Sequence, residues 1–197
     1  MNNDPVCLQA IQRFSDLLDR ARSLHEREPM AISLATADAA GRPSVRTVLL
    51  RAFDERGFVF FTNEESRKGR QIAANPRAAL CLYRDVLQEQ AHIEGDVVAA
   101  SEVESDAYWA SRPRESQVGA WASMQSRPLD SRATFESRLA EFEQRFAGQP
   151  VRRPPYWHGF RIVPDRIEFW KGKPFRLHER EVYERTSDGW TVRLLYP

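Results

Sequence analysis

Near the C-terminal end, in FWKGKPFRLHERE, the residues Arg176, His178 and Arg180 occupy alternate positions. Alternate side chains of a β-strand share a face. The spacing therefore predicts two guanidinium groups and an imidazole on one side of one strand. Like charges so close repel unless water or an anion lies between them. Glu179 and Glu181 fall on the opposite face and would not easily neutralise them. The face is expected to meet a negative or electron-rich ligand.

Three more stretches carry polar side chains beyond what a strand or helix needs. In RTVLLR, Arg46 shares its parity with Val48 and Leu50. Alone, this reads as a half-buried strand with charges at its ends. TNEESRKGRQ places adjacent cations, Arg67 and Lys68, just inside a helix start that Ser66 can cap. A helix N-terminus with two cations suits a phosphate, although a solvated surface turn would look the same. In YWASRPRESQVGAWASMQS, Tyr108, Arg112 and Ser116 are spaced by four, and Pro113 is expected to make the second interval a loop. Each of the three can donate a hydrogen bond to a phosphate oxygen. A basic helix C-terminus would account for some of this stretch, but needs fewer arginines, serines and glutamines.

The elements that must position these groups follow from periodicity. Val6, Ile11, Phe14, Leu17, Leu18, Ala21 and Leu24 predict an amphipathic helix over 5–26. Two β-rich runs flank the turn Ala40-Gly41-Arg42-Pro43, and Gly57 to Thr62 is a third strand. A short helix runs from Ser66 to about Asn75-Pro76, and AALCLYR and QEQAHIEGDVVAA are two more strands. Ser101 and Glu104 form a capping box for a helix through Tyr108 and Trp109 that ends before Arg112-Pro113. A further helix carries Phe135, Leu139, Phe142 and Phe146 on one face. After a Pro-rich connector, two strands frame KGKP and a last one follows Asp188-Gly189. Many antiparallel strands, interspersed helices and no βαβ alternation argue for an α+β protein built on a β-barrel or closed sheet, forming a single domain over 1–197.

The chain has 197 residues, 42% of them hydrophobic and 29% charged, as in ordinary soluble domains. A net charge of +1 offers no bulk electrostatic case for nucleic acid or an anionic membrane. Cys7 and Cys81 lack metal or disulfide-framework spacing, which fits a reducing cytoplasm. The opening residues carry no signal-peptide pattern, and no apolar stretch approaches membrane-spanning length.

Taken together, RTVLLR, TNEESRK, SRPRESQVGAW and FW…RLHER resemble the pyridoxamine 5′-phosphate oxidase family of flavoenzymes, from about residue 5 to the end. The resemblance implies an FMN-binding split barrel, a homodimer with sites at the subunit interface, FMN as cofactor, O2 as acceptor and H2O2 as by-product. It implies Arg46, Arg67 and Lys68 as FMN-phosphate ligands. The backbone of Thr47, Val48, Leu49 and Leu50, running into Arg51, would line the flavin with Phe61 and Thr62. Gln90, Gln125, Ser126, Trp170 and Arg180 match the remaining FMN contacts. Arg51, Tyr108, Arg112 and Ser116 match a clamp for the substrate phosphate. Arg176 and His178 match the catalytic pair facing the pyridine ring.

Two departures from the family pattern bear on substrate. Arg51 stands where the family usually has lysine, and the expected N-terminal lid segment is missing ahead of helix 5–26. Related flavin oxidases of phenazine biosynthesis share the fold and an RLHER-like ending but tend to diverge around SRPRESQ, which this chain keeps. A non-catalytic flavin- or pyridoxal-phosphate-binding protein would have no need of Arg176 and His178.

Overall fold

The computed structural model describes residues 4–24 and 27–197. Helix α1 (Pro5–Ser23) starts at Asp4, whose Oδ1 accepts from the backbone N–H groups of Val6 and Cys7 at 2.8 and 3.3 Å. Such a cap satisfies donors that the helix itself leaves unpaired. The other carboxylate oxygen accepts from the Trp190 backbone N–H at 2.8 Å. One side chain thus caps the first helix and fastens the start of the last strand. The apolar stripe read from the sequence is the buried face, with Phe14, Leu17 and Leu18 at most 2% exposed. The helix expected over 5–26 ends at Ser23; His25 and Glu26 lie outside the described residues.

Among the described residues nine strands follow: β1 (Ala31–Ala37), β2 (Pro43–Leu49), β3 (Ala52–Asp54), β4 (Gly57–Asn63), β5 (Arg77–Arg84), β6 (Glu89–Ala99), β7 (Trp157–Lys171), β8 (Glu179–Thr186) and β9 (Gly189–Leu195). Every ladder is antiparallel, in the order β2-β1-β5-β6-β7-β4-β3, with β8 on β7 and β9 on β8. The absence of βαβ alternation predicted this. Short β3 escaped the sequence reading. The sheet branches at β7, whose first half pairs with β4 and second half with β8. Opposite β6 the ladder shifts between Glu94 and Gly95, where β7 carries Pro164. Proline has no N–H to give a ladder and collects at such irregularities. A Cβ on Gly95 would lie 2.1 Å from the Val163 carbonyl oxygen, so glycine is required there.

The concave side of the sheet is filled by α1 and by Leu34, Phe58, Phe60, Leu80 and Ile93. Each fully buried side chain of this size contributes about 1.5–3 kcal/mol. Helices α3 (Glu102–Ala110), α4 (Arg114–Ala122) and α5 (Arg132–Arg145) build a second apolar cluster around Trp109, Val118, Phe142, Phe146 and Trp157. Both capping signals hold. Ser66 Oγ accepts from Gly69 N–H at the head of α2 (Arg67–Ala74), and Ser101 and Glu104 close their capping box. The predicted loop after Pro113 is instead helix α4, with Pro113 as its N-cap residue. Proline ends α3 but is well tolerated at a helix start, where its missing donor costs nothing. No helix among the described residues is long and apolar enough to cross a membrane.

Candidate functional site

A cavity of about 320 Å³ lies where β2, β4, α2 and the α3–α4 junction meet. Thr47, Val48 and Leu49 reach it from β2, and Phe61 and Thr62 from β4. Lys68 enters from α2, Arg51 from the link after β2, and Tyr108, Arg112 and Ser116 from the α3–α4 corner, with Gln125 beyond α4. An adjoining cavity of about 300 Å³ shares Phe61, Thr62, Arg112, Ser116, Gln125 and Trp157 with it. Eleven of the residues named from sequence, Gln125 among them, thus face one cleft.

Its electrostatics are one-sided. Lys68 Nζ donates to Thr62 Oγ1 and Gln125 Oε1, both at 3.0 Å, and Arg46 donates to Leu34 O, Thr36 Oγ1 and Gln71 Oε1. All these acceptors are neutral. Burial, and then Arg46, push the Lys68 ammonium down to about 8. Burial and the charge of Arg67 lower Arg46. Burial also lowers Arg112; the Tyr108 hydroxyl opposes this and Arg51 adds to it. Elsewhere arginines are routinely neutralised: Arg20 by Glu89, Arg77 by Asp96 and Asp165, and Arg161 by Asp54 and Glu104. Among the described residues no carboxylate pairs with Arg46, Arg51, Arg67, Lys68 or Arg112. Unneutralised cations in a cleft favour an anion.

The apolar wall is a ladder of rings. Phe61 stacks on Tyr108 at 4.2 Å and on Trp157 at 5.3 Å. Arg51 lies over Tyr108 at 5.4 Å, and Arg112 over Trp157 at 4.9 Å while donating to Ser116 O at 3.0 Å. Cation–π contacts of this kind hold a guanidinium without cancelling its charge. Trp157 was missed in the sequence reading, hidden in a Pro-rich connector.

The other predicted residues lie elsewhere. Leu50 is 1% exposed in the main core, and its N–H is spent on Met30 O. Ser126 is exposed, with a left-handed φ of 68°, a conformation that residues other than glycine seldom adopt. Arg67 is exposed beside the cavity. Gln90 and Trp170 line a separate cavity of about 280 Å³, with Arg20, Lys171 and Glu179. His178 packs on Trp170 with ring centres 4.6 Å apart, and its Nδ1 accepts from the Lys173 backbone N–H.

Two expectations about the opening motif are corrected. Arg176 and His178 are not on a strand with Arg180. Pro174–Arg176 form a 3-10 turn, Phe175 and Arg176 have φ of 60° and 64°, and β8 begins only at Glu179. Nor does Arg180 lack a protein counter-charge. Its Nε donates to buried Glu168 at 2.7 Å, and Arg166 donates to the other oxygen at 2.6 Å. Burial raises the Glu168 carboxyl, but the bonds from Arg180 and Arg166 outweigh it and hold the group below its ordinary value. Arg176 is exposed and has no carboxylate partner among the described residues.

Comparison with known proteins decides the family. A model described as pyridoxamine 5′-phosphate oxidase matches residues 17–146, and one described as the pyridoxine 5′-phosphate oxidase C-terminal dimerisation region matches 157–197. The chain belongs to the pyridoxamine 5′-phosphate oxidase family. Family membership makes it an FMN-dependent oxidoreductase with a split-barrel fold. A pyridoxine/pyridoxamine 5′-phosphate oxidase of Myxococcus xanthus (strain DK1622) is 56% identical, covering 95% of this chain and 91% of the relative. One of Alkalilimnicola ehrlichii is 54% identical, covering 96% and 97%. Among solved structures, PhzG from Burkholderia lata 383, in complex with tetrahydrophenazine-1-carboxylic acid, superposes with a TM-score of 0.89. It is 35% identical, covering 95% of this chain and 92% of that one. A pyridoxamine 5′-phosphate oxidase-related, FMN-binding protein of Nostoc punctiforme, 22% identical with a TM-score of 0.73, shares the fold over 94% and 96% of the two chains.

Proposed function

We propose that this oxidase converts pyridoxamine 5′-phosphate, pyridoxine 5′-phosphate or both to pyridoxal 5′-phosphate. The observation that carries the reading is a cleft lined by Arg51, Lys68 and Arg112, with Arg46 and Arg67 next to Lys68, and no carboxylate partner for any of the five among the described residues. They form two groups, suiting two phosphates. Arg46, Arg67 and Lys68 gather at the head of α2, where they would hold the FMN phosphate with Thr62 and Gln125 beside them. Arg51 and Arg112, with Tyr108 and Ser116, would clamp the substrate phosphate at the other side of the ring ladder. FMN, when bound, would accept a hydride from the substrate carbon next to the ring, an alcohol substrate losing its hydroxyl proton to give the aldehyde and an amine substrate giving an imine that water hydrolyses with release of ammonia, and O2 would take the electrons onward as H2O2. The chain's own residues position and desolvate: stacked Phe61, Tyr108 and Trp157 keep water from one wall, and fixed cations favour anionic ligands without reorganising.

Gln90, Trp170, Arg176, His178 and Arg180 line no part of this cleft. Together with the dimerisation-region match over 157–197, this supports a homodimer in which each C-terminal segment completes the partner's site. Arg176 and His178 would then face the substrate ring. The anaerobic reaction tests the reading. With FMN bound and oxygen absent, pyridoxine 5′-phosphate should bleach the flavin absorbance, and air should restore it with release of peroxide. Flavin that stays oxidised with both phosphorylated vitamers would refute it and move attention to tetrahydrophenazine carboxylates, the ligand type held by the Burkholderia lata structure.

A further inference from the structure

We propose that Gln71 is the positioning residue of the phosphate cradle, holding the Arg46 guanidinium in place while leaving its charge free for an anion. The inference rests on the reading that Arg46 meets the FMN phosphate. Gln71 lies on α2 and is 6% exposed; Thr36, on β1, is 3% exposed. The Gln71 Oε1 accepts from Thr36 Oγ1 at 2.6 Å and from Arg46 Nη2 at 3.2 Å, while its Nε2 donates to Ser44 Oγ at 2.8 Å. Arginine can only donate, so the amide oxygen must be the atom that faces it. The Thr36 hydroxyl gives its proton to Gln71 and accepts from Arg46 Nη1 at 2.7 Å. Leu34 O takes the remaining Nη1 N–H at 3.1 Å.

A part-buried arginine is usually held by a carboxylate. Here every acceptor is neutral. The network leaves Nε–H and one Nη2–H, which run parallel along one edge of the guanidinium, without an acceptor among the described residues. That edge fits two oxygens of one phosphate. Gln71 also sits one helical turn beyond Lys68, on the same side of α2. By bonding to Thr36 on β1 and Ser44 on β2, it fixes how far the Arg46 strand stands from the helix start that carries Arg67 and Lys68. A glutamate at this position would match glutamine in shape, yet it would pair with Arg46 and set a negative charge inside the cradle.

The test compares FMN with riboflavin, which lacks only the phosphate, by flavin-fluorescence titration of the deflavinated full chain. The wild-type protein should bind FMN more tightly than riboflavin; equal affinities would overturn the phosphate-cradle reading itself. With that preference established, Gln71→Glu should weaken FMN by about ten-fold or more and change riboflavin by no more than about two-fold. Thr36→Val keeps Gln71 but removes one acceptor from Arg46, and should lower the FMN-to-riboflavin preference by about three-fold or more. An unchanged preference in Gln71→Glu, or an equal loss of both flavins, would overturn the positioning role. Should Gln71→Glu fail to fold, an unchanged preference in Thr36→Val would overturn it on its own.

Discussion

Raising the pH should loosen FMN through Lys68. Burial and then Arg46 hold its ammonium at about 8 instead of 10.5. A phosphate placed beside it restores the charged form. A phosphate monoester is a dianion well below this range, its second pKa being about 6. Above about pH 8, binding must therefore take up a proton, and affinity falls as pH rises. The gap between about 8 and 10.5 caps the loss at about 300-fold. Lys68 stands at a cavity wall open to water, which screens part of this, so about ten-fold between roughly pH 8 and pH 10 is expected. Titrating FMN and riboflavin side by side from neutral pH upward isolates the effect, because flavin-ring ionisation is common to both. A ratio of the two affinities that stays flat across that range would refute the assignment of Lys68 to the phosphate. The same lowered value has a second consequence. Between about 8 and 10.5 the unfolded chain binds more protons at this lysine than the folded one. The Lys68 contribution to the deflavinated fold is thus unfavourable below that window and is relieved as pH rises through it.

Other expectations follow from the same geometry. Arg112→Ala should raise the Kd for pyridoxine 5′-phosphate about 10- to 100-fold, the worth of a charge-assisted hydrogen bond, and leave FMN affinity unchanged; equal losses in the two titrations would remove Arg112 from the substrate clamp. Arg176→Ala should retain full flavin content by absorbance while slowing anaerobic flavin reduction, and an unaltered reduction rate would exclude it from the site. Glu168→Gln should cost about 1–3 kcal/mol in denaturant unfolding, because Arg166 and Arg180 lose a buried counter-charge. The Glu168 carboxyl is held below its ordinary 4.5, so its contribution is full above that value and disappears as pH falls below it. The variant should accordingly lose stability less steeply in acid.

Local rules supplied the elements around the cleft. The β-rich runs of β2 and β4 and the Ser66 cap, with Lys68 just inside it, are properties of a few neighbouring residues, whereas Thr47, Leu49, Phe61 and Thr62 were named by the family resemblance; all five line the cavity. What the reading lost depends on partners distant in sequence. Arg180 finds Glu168 only because β7 and β8 pair in the register Trp170↔Arg180, which puts Glu168 on the diagonal. No spacing along one strand reveals that. The alternation of Arg176, His178 and Arg180 was extended too far toward the N-terminus, through a turn whose left-handed Phe175 and Arg176 break the period of two. Gln71 looked like an ordinary helix residue, since its two strand partners lie 35 and 27 positions away.

The double use of Asp4 has a bearing on synthesis. The helix it caps is made well before the backbone N–H that its second oxygen engages, which belongs to Trp190, 186 positions later. At translation rates of about 5–20 residues per second, α1 waits roughly 10–40 s for that partner. During that interval α1 can meet Phe53 and Phe58 through Phe14 but lacks the β8 and β9 strands it also packs against in the finished fold. The Asp4 link between the first helix and the last strand is thus closed only at the end of synthesis.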